Sequence, residues 1–435
     1  MAPATPRLAG REVAPPAILL VAAVLLGGSG SPDPVSEAIL QFVALAIVAA
    51  AVWPGVRPPA PARHDRGQAL LLAAVIAFPL AQLVPLPSGL SLPGREAAAD
   101  ALAAIGAGET WRPLSILPDN TAAALLALIP AVAMALLVAH LPLAGRIRLV
   151  ALLAALGLAS ALLGLVQYTA SGTAAGLFAN RNAQADLLVI ATGIVLLLAG
   201  RWRDRLVGWP ARATLGVVLV VLALSTVATG SRMGMALLAG TLVAGAAGSG
   251  KAVRVPIGAI GLLLAVLLAS GTTLDRSFAR FADEGHRSEI WQDSLVLARE
   301  TAPVGVGMGG FAPLFERIEP LDRVQPTHVN RAHNDWLELA VEGGLPALLL
   351  LAVLLAFVSA RAVRRWRDPD PDRRLLARFA GLTLLVFAMH SAVDYPLRNL
   401  TLLTIAGLAL GGVAFARPHP HEATGERRVG GISNA

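Results

Sequence analysis

Long apolar runs, separated by Pro, Gly and Arg, recur through most of this 435-residue sequence. A helix that crosses a bilayer needs roughly 20 mainly apolar residues. Segments of that kind fall near 15–31, 35–53, 68–86, 121–139, 149–168, 183–200, 213–229, 232–248, 255–271, 343–360, 375–394 and 399–416. In hydrocarbon every backbone N–H and C=O must be satisfied within the protein, so such runs form helices. Composition agrees: 56% of residues are hydrophobic and 14% charged, against roughly 25% charged in a soluble domain. A larger soluble core would not account for the deficit, because its surface would still face water. The reading is an all-α, polytopic integral membrane protein with about 12 transmembrane helices.

Charge placement sets the topology. The formal net charge is +7 and the basic residues are nearly all Arg. Scattered over short loops, they orient helices rather than bind nucleic acid. With both termini inside, 23 of the 35 Lys and Arg lie in inner segments and 5 in short outer connections. The remaining 7 lie in 272–340, a long outer segment that the positive-inside rule largely exempts. The expected organisation is helices 1–9 over 1–271, a long outer loop containing short helices over 272–340, helices 10–12 over 341–416, and an inner tail over 417–435. Arg7 and Arg11 before an apolar run also fit a signal peptide. Gly27 to Pro34 reads as a turn rather than a cleavage site, so the run is read as an uncleaved first helix. There is no cysteine, which removes disulfides, thiolate chemistry and Cys-based metal sites.

Ionisable side chains inside a bilayer are costly and mark function or the bundle interior. Here the helix middles are almost free of them. The polar residues gather at the outer face: Asn180-Arg181-Asn182, Asp186, Thr229-Gly230-Ser231-Arg232, Arg287, His333-Asn334-Asp335, His390 and Asp394. Arg232 lies in a tight turn between two apolar helices, on the side where Arg is disfavoured. It either snorkels to headgroups or is a fixed bidentate donor for phosphate. Arg287 precedes an amphipathic helix, 288–300, whose Ile290, Leu295 and Ala298 are expected on one side. His333 has the chemistry of a general base or hydrogen-bond donor. A helix is expected from Asn334, as its cap, to Gly343–Gly344, with Asp335 in its first turn. His390 and Asp394, four apart, would share a helix face, holding a tautomer or bridging helices.

Other patterns carry less. Gly305-Val306-Gly307-Met308-Gly309-Gly310 matches G-x-G-x-x-G without the βαβ context a dinucleotide site needs, and reads as a flexible turn. No His/Asp/Glu spacing suggests a metal site, His419 and His421 sit in a polar tail, and there is no Walker or G-x-S-x-G sequence.

Taken in order, several stretches over about 175–400 resemble the O-antigen ligase/polymerase family of bacterial membrane proteins. They are Phe178-Ala179-Asn180-Arg181-Asn182, Thr229-Gly230-Ser231-Arg232, Arg287 with Trp291, and Pro303 to Phe311. They continue with Ala332-His333-Asn334-Asp335-Trp336-Leu337-Glu338, Glu342-Gly343-Gly344-Leu345-Pro346 and His390-Ser391-Ala392-Val393-Asp394-Tyr395-Pro396. The resemblance implies an all-helical fold related to C-type membrane glycosyltransferases, sited in the bacterial inner membrane with its active site facing the periplasm. It implies transfer of a glycan from an undecaprenyl-pyrophosphate carrier to an acceptor hydroxyl, without metal or other cofactor. The acceptor is lipid A-core for a ligase and a lipid-linked glycan for a polymerase, in lipopolysaccharide or other surface-polysaccharide biosynthesis. The catalytic set would be His333, Arg232 and Arg287. The substrate-binding set would be Arg181, Asn180, Asn182, Asn334, His390 and Asp394. One departure is Arg331, where some members have a His; His328 lies five residues before His333. A transporter or flippase for a lipid-linked saccharide is the competing class. It would place essential groups deep in helices, often in paired repeats, whereas the polar residues here lie at the rim.

Overall fold

The computed structural model describes residues 12–28, 34–52, 65–87, 95–108, 111–247, 254, 257–258, 261, 282–319 and 329–414. The helix expected over 255–271 falls, isolated residues apart, outside the described residues, as do His328 and the 417–435 tail. Eleven of the twelve expected segments are helical. They are α1 (Ala14–Leu26), α2 (Pro34–Val52), α3 (Arg66–Gln82), α5 with α6 (Pro118–Ala127 and Ile129–Ala139), α7 (Leu143–Ser171), α8 (Arg181–Arg201), α9 (Trp209–Ala228), α10 (Arg232–Ala247), α13 (Asp335–Arg365), α14 (Pro371–His390) and α15 (Leu400–Gly412). Three further helices lie between them: α4 (Glu96–Ala104), α11 (Ala282–Glu300) and α12 (Phe311–Ile318). A two-residue ladder, β1 (Pro85–Leu86) against β2 (Arg112–Pro113), closes the 83–114 connection. Among the described residues, five stretches are long and apolar enough to cross a membrane, with α5 and α6 counted as one, and five shorter apolar helices accompany them. The protein is an all-helical, polytopic membrane protein.

Boundaries shift where local chemistry overrides the apolar pattern. The segment expected over 121–139 breaks at Leu128, next to Pro130, which lacks the N–H that would continue the ladder. Helix α7 starts six residues earlier than expected and takes in Arg146. That guanidinium is no exposed loop charge: it is buried and donates to the carbonyls of Ala139, Leu141, Gly412 and Ala414. It thereby satisfies acceptors left open at the C-terminal ends of α6 and α15.

Helix α8 is the centre of the bundle, packed by α7, α9, α10 and α14. Its apolar window is 78% buried, against 28–44% for the other four long stretches, as expected for a helix apolar all round. Residues 183–194 are buried without a break, so its first turn is a rigid platform for Asn180, Arg181 and Asn182.

The tightest pair is α15 on α6, where small residues let backbones approach. A Cβ on Gly407 would lie 2.2 Å from the Ala131 carbonyl oxygen, and one on Gly411 2.7 Å from that of Ala135. Gly407→Ala is therefore expected to cost about 1–3 kcal/mol of stability through overpacking, whereas Gly240→Ala, with open space around its Cβ position, leaves stability nearly unchanged. Thermal unfolding of the two variants in detergent checks this.

Beyond the bundle, α11, α12 and the start of α13 share a small core of Ile290, Leu297, Val306, Phe311, Phe315, Val329, Ala332 and Val341. The buried face of α11 is Ile290, Ser294 and Leu297, an i, i+4, i+7 series. Leu295, expected on that face, is exposed, because it lies on the opposite side of the helix. The Gly305–Gly310 segment is not a flexible turn. Its amides bind carbonyls of the α13 helix, Val306 N–H to Val341 and Gly307 N–H to Glu342. Gln82 accepts from Met308 N–H and donates to the Glu342 carbonyl. Glycine is needed there: Gly307 has φ +106°, and a Cβ on it would meet Ser115 Oγ at 2.2 Å. The clasp grips α13 where its helix breaks at Gly344.

Candidate active site

The site is assembled on the turn that follows α14. That helix ends at His390, where the amides of Val393 and Asp394 both return to its carbonyl. His390 and Asp394 therefore do not share a helix face; the expected helix over 375–394 stops short, and Pro396 opens a 3-10 turn instead. Four consecutive carbonyls of this turn accept from elsewhere. Ser391 O accepts from Asp335 N–H (2.9 Å), Ala392 O from Asn334 Nδ2 (3.1 Å), Val393 O from Arg287 Nη1 (3.2 Å) and Asp394 O from Asp335 N–H (3.3 Å). The turn is thus stitched to α11 and to the N-terminus of α13.

Asn334 caps α13 as expected, its side chain accepting from Trp336 and Leu337 N–H. His333, just before the cap, has φ +49° and is the only non-Gly residue with positive φ among the described residues. Such strain costs on the order of 1–3 kcal/mol and persists where surroundings over-determine the backbone. It swings the imidazole onto the turn: Nδ1 lies 3.3 Å from Asp394 Oδ1, and the ring meets Tyr395 edge-on at 5.1 Å. Asn182, from the first turn of α8, donates to the other oxygen, Asp394 Oδ2, at 2.5 Å. Asn180 caps α8 by accepting from Asn182 N–H and also hydrogen-bonds Tyr395.

Burial alone would raise the Asp394 carboxyl, but the hydrogen bond and charge of His333, with His390 and Asn182, outweigh it and hold Asp394 below the usual carboxylate range. In the neutral imidazole, an ionised Asp394 favours the proton on Nδ1 and leaves Nε2 as the acceptor; the His333 side chain is 28% exposed. The carboxylate–imidazole pairing is the orienting arrangement of nucleophile-activating sites. Beneath it lies a second pair: His390 Nδ1 is 2.5 Å from Asp186 Oδ1, both buried. The two histidines are thus paired crosswise, each with an aspartate on another segment.

A third group locks α13 onto the turn. Arg398, 13% exposed, meets Glu342 at 2.7 Å, Glu338 at 3.3 Å and Asp335 at 3.8 Å. Glu338 also takes Arg331 at 2.9 Å. Burial pulls the Arg398 guanidinium down, but the carboxylates of Glu342, Glu338 and Asp335 more than compensate and hold it above its usual value. Asp335 therefore works as an anchor, also accepting from Ser391 Oγ and Leu397 N–H, beyond its favourable place at a helix start. Among the described residues no group of three or more His, Asp and Glu is placed to hold a metal ion.

The structure thus brings together Asn180, Asn182, Arg287, His333, Asn334, His390 and Asp394. Arg181 opens α8 and Arg232 opens α10, each half-buried, and each already interacts with another group of the protein. Gly234 of α10 faces the Ala185 Cβ of α8, which sets the two helix starts side by side. Gly230, at φ +66°, makes the intervening turn.

Residues 217–352 match the family model described as O-Antigen ligase. This stretch, under a third of the chain, is similar to O-antigen ligases. It spans the end of α9, α10, α11, α12 and most of α13, and so carries Arg232, Arg287 and His333; Asn182, His390 and Asp394 reach the same site from outside it. That similarity supports glycan transfer in surface-polysaccharide biosynthesis. A search among curated proteins gives no match.

Sequence reasoning gave no role in this site to Arg398, Tyr395, Glu338 or Glu342, and read Asp335 only as a residue of a helix start. Asp335, Glu338 and Glu342 stand at i, i+3 and i+7, one face of a helix. Arg398 carried the signal that singled out Arg232, an Arg in a short outer connection.

Proposed function

We propose that this protein transfers a glycan from an undecaprenyl-pyrophosphate carrier to an acceptor hydroxyl, at the periplasmic face of the inner membrane. The observation that carries the reading is the His333–Asp394 pair, tied through one turn to Arg287 and Asn182 at the end of the bundle. His333 Nε2 takes the proton of the acceptor hydroxyl as its oxygen attacks the anomeric carbon. The bond from that carbon to the pyrophosphate oxygen breaks in the same displacement, with inversion. Negative charge then develops on the pyrophosphate, where preorganised cations lower the barrier. Arg232 and Arg287 supply them, with Arg181 as a third; bidentate guanidinium–phosphate geometry suits the role. Asn180, Asn182 and Asn334 lie close enough to the site to orient sugar or phosphate. His390 and Asp394, first read as substrate contacts, are better explained as positioning residues, since each is buried against a partner.

Arg232→Ala is expected to lower transfer by about 10²–10³-fold, the usual cost of removing one transition-state donor, while membrane insertion is unchanged. Near-normal transfer by purified Arg232→Ala and Arg287→Ala proteins would remove the pyrophosphate assignment. The class is tested by the glycolipid profile of a deletion strain. Long carrier-linked chains accumulating without capped lipid A-core identify a ligase, and single repeat units a polymerase. An unchanged profile with a normal carrier pool would favour transport of a lipid-linked saccharide.

A further inference from the structure

At the end of α13 and α14 remote from His333, the 363–369 turn lines a cavity of ≈ 600 Å³. Seven Arg lie between 361 and 378. Three are neutralised: Arg361 by Asp65, Arg365 by Asp368 and Arg373 by Asp370. The neighbouring Asp372 is taken by Arg201. Arg364, Arg367, Arg374 and Arg378 have no carboxylate partner among the described residues. Three of these are held in place through carbonyls: Arg364 on Ala360, Arg374 on Asp368 and Arg378 on Trp366. Arg378 also lies 5.7 Å from the centre of the Trp366 ring, which packs over Gly381.

An exposed apolar stripe on α13, Leu349, Val353 and Val363, leads to this turn. An apolar track ending in fixed, uncompensated guanidinium groups, with a Trp at the junction, matches one molecule with acyl chains and an anionic head. We propose that the 363–378 turn binds the phosphate-bearing headgroup of an anionic membrane phospholipid, whose acyl chains lie along α13. This site is independent of the transfer chemistry.

The test is native mass spectrometry of the full-length protein in detergent with equal amounts of phosphatidylglycerol and phosphatidylcholine. Phosphatidylglycerol should be retained preferentially. Each arginine near a membrane surface contributes about 1 kcal/mol, or roughly fivefold, so Arg364→Gln/Arg367→Gln/Arg374→Gln should weaken retention on the order of 100-fold. Arg203→Gln/Arg205→Gln/Arg212→Gln, a comparable loss of charge outside the 361–378 cluster, should leave it unchanged. Arg367→Gln alone, which removes no hydrogen bond or ion pair among the described residues, should still lower retention severalfold if the triple variant fails to fold. Equal retention of the two lipids, equal loss in the control variant, or displacement by millimolar inorganic phosphate would each overturn a specific lipid site.

Discussion

His333→Ala is expected to lower glycan transfer by roughly 10²–10⁴-fold, the range for loss of a positioned acid–base group, with the protein still extracted as a folded species. The assay is transfer from a carrier-linked glycan donor to its acceptor by purified protein, beside thermal unfolding. The strained backbone at His333 gives a structural control: removing the imidazole should not unfold the protein, because its Nδ1 contact to Asp394 is long, at 3.3 Å. Asp394→Asn should be nearly as damaging to turnover. An amide placed there can donate to Nδ1, reversing the tautomer so that Nε2 carries the proton and cannot accept one. If His333→Ala turns over normally, the base lies elsewhere and the Asp394 pair is structural. Because Asp394 is held low when folded, its contribution to stability is present above the usual carboxylate value. It is lost as pH falls through the depressed folded value, so Asp394→Asn should flatten the acid limb of the unfolding profile.

Arg398→Met is expected to have the largest effect on stability, about 3–5 kcal/mol, because it leaves buried carboxylates without their cation. Asp335, Glu338 and Glu342 would retain only Arg331, which reaches Glu338. Unfolding temperature in detergent measures the loss. Arg398→Met combined with Glu342→Gln should recover part of it, since one uncompensated charge is removed with the guanidinium. A single variant as stable as the wild type would show that α13 is held on the turn by packing alone.

What was legible in the sequence was local. Apolar runs give helices, because a bilayer leaves the backbone no other partner. Asn334 was legible as a helix start because a cap acts on amides two or three residues away. The basic inner connections and the motif order likewise need no knowledge of which helices touch. The break at Leu128 and the burial of Arg146 were not legible, since an Arg in a short connection reads the same whether it faces water or gathers helix carbonyls.

The candidate residues could be named from their chemistry and position at the rim, but their partners could not. His390 and Asp394 sit four apart, which in a continuing helix would make them a pair. The helix instead stops at His390, and each residue finds its partner elsewhere: Asp186 lies 204 residues from His390, and His333 61 residues from Asp394. The glycine run looked mobile because glycine lacks a side chain; its positive-φ turns against Glu342 and Ser115 make it a fixed clasp. The sequence by itself determined an all-helical membrane bundle with its candidate polar residues at one rim, because solvent and backbone satisfaction act segment by segment. Only the tertiary structure decided which carboxylate orients which histidine and which arginine is a lock, because pairing depends on distances set by helices far apart in the chain.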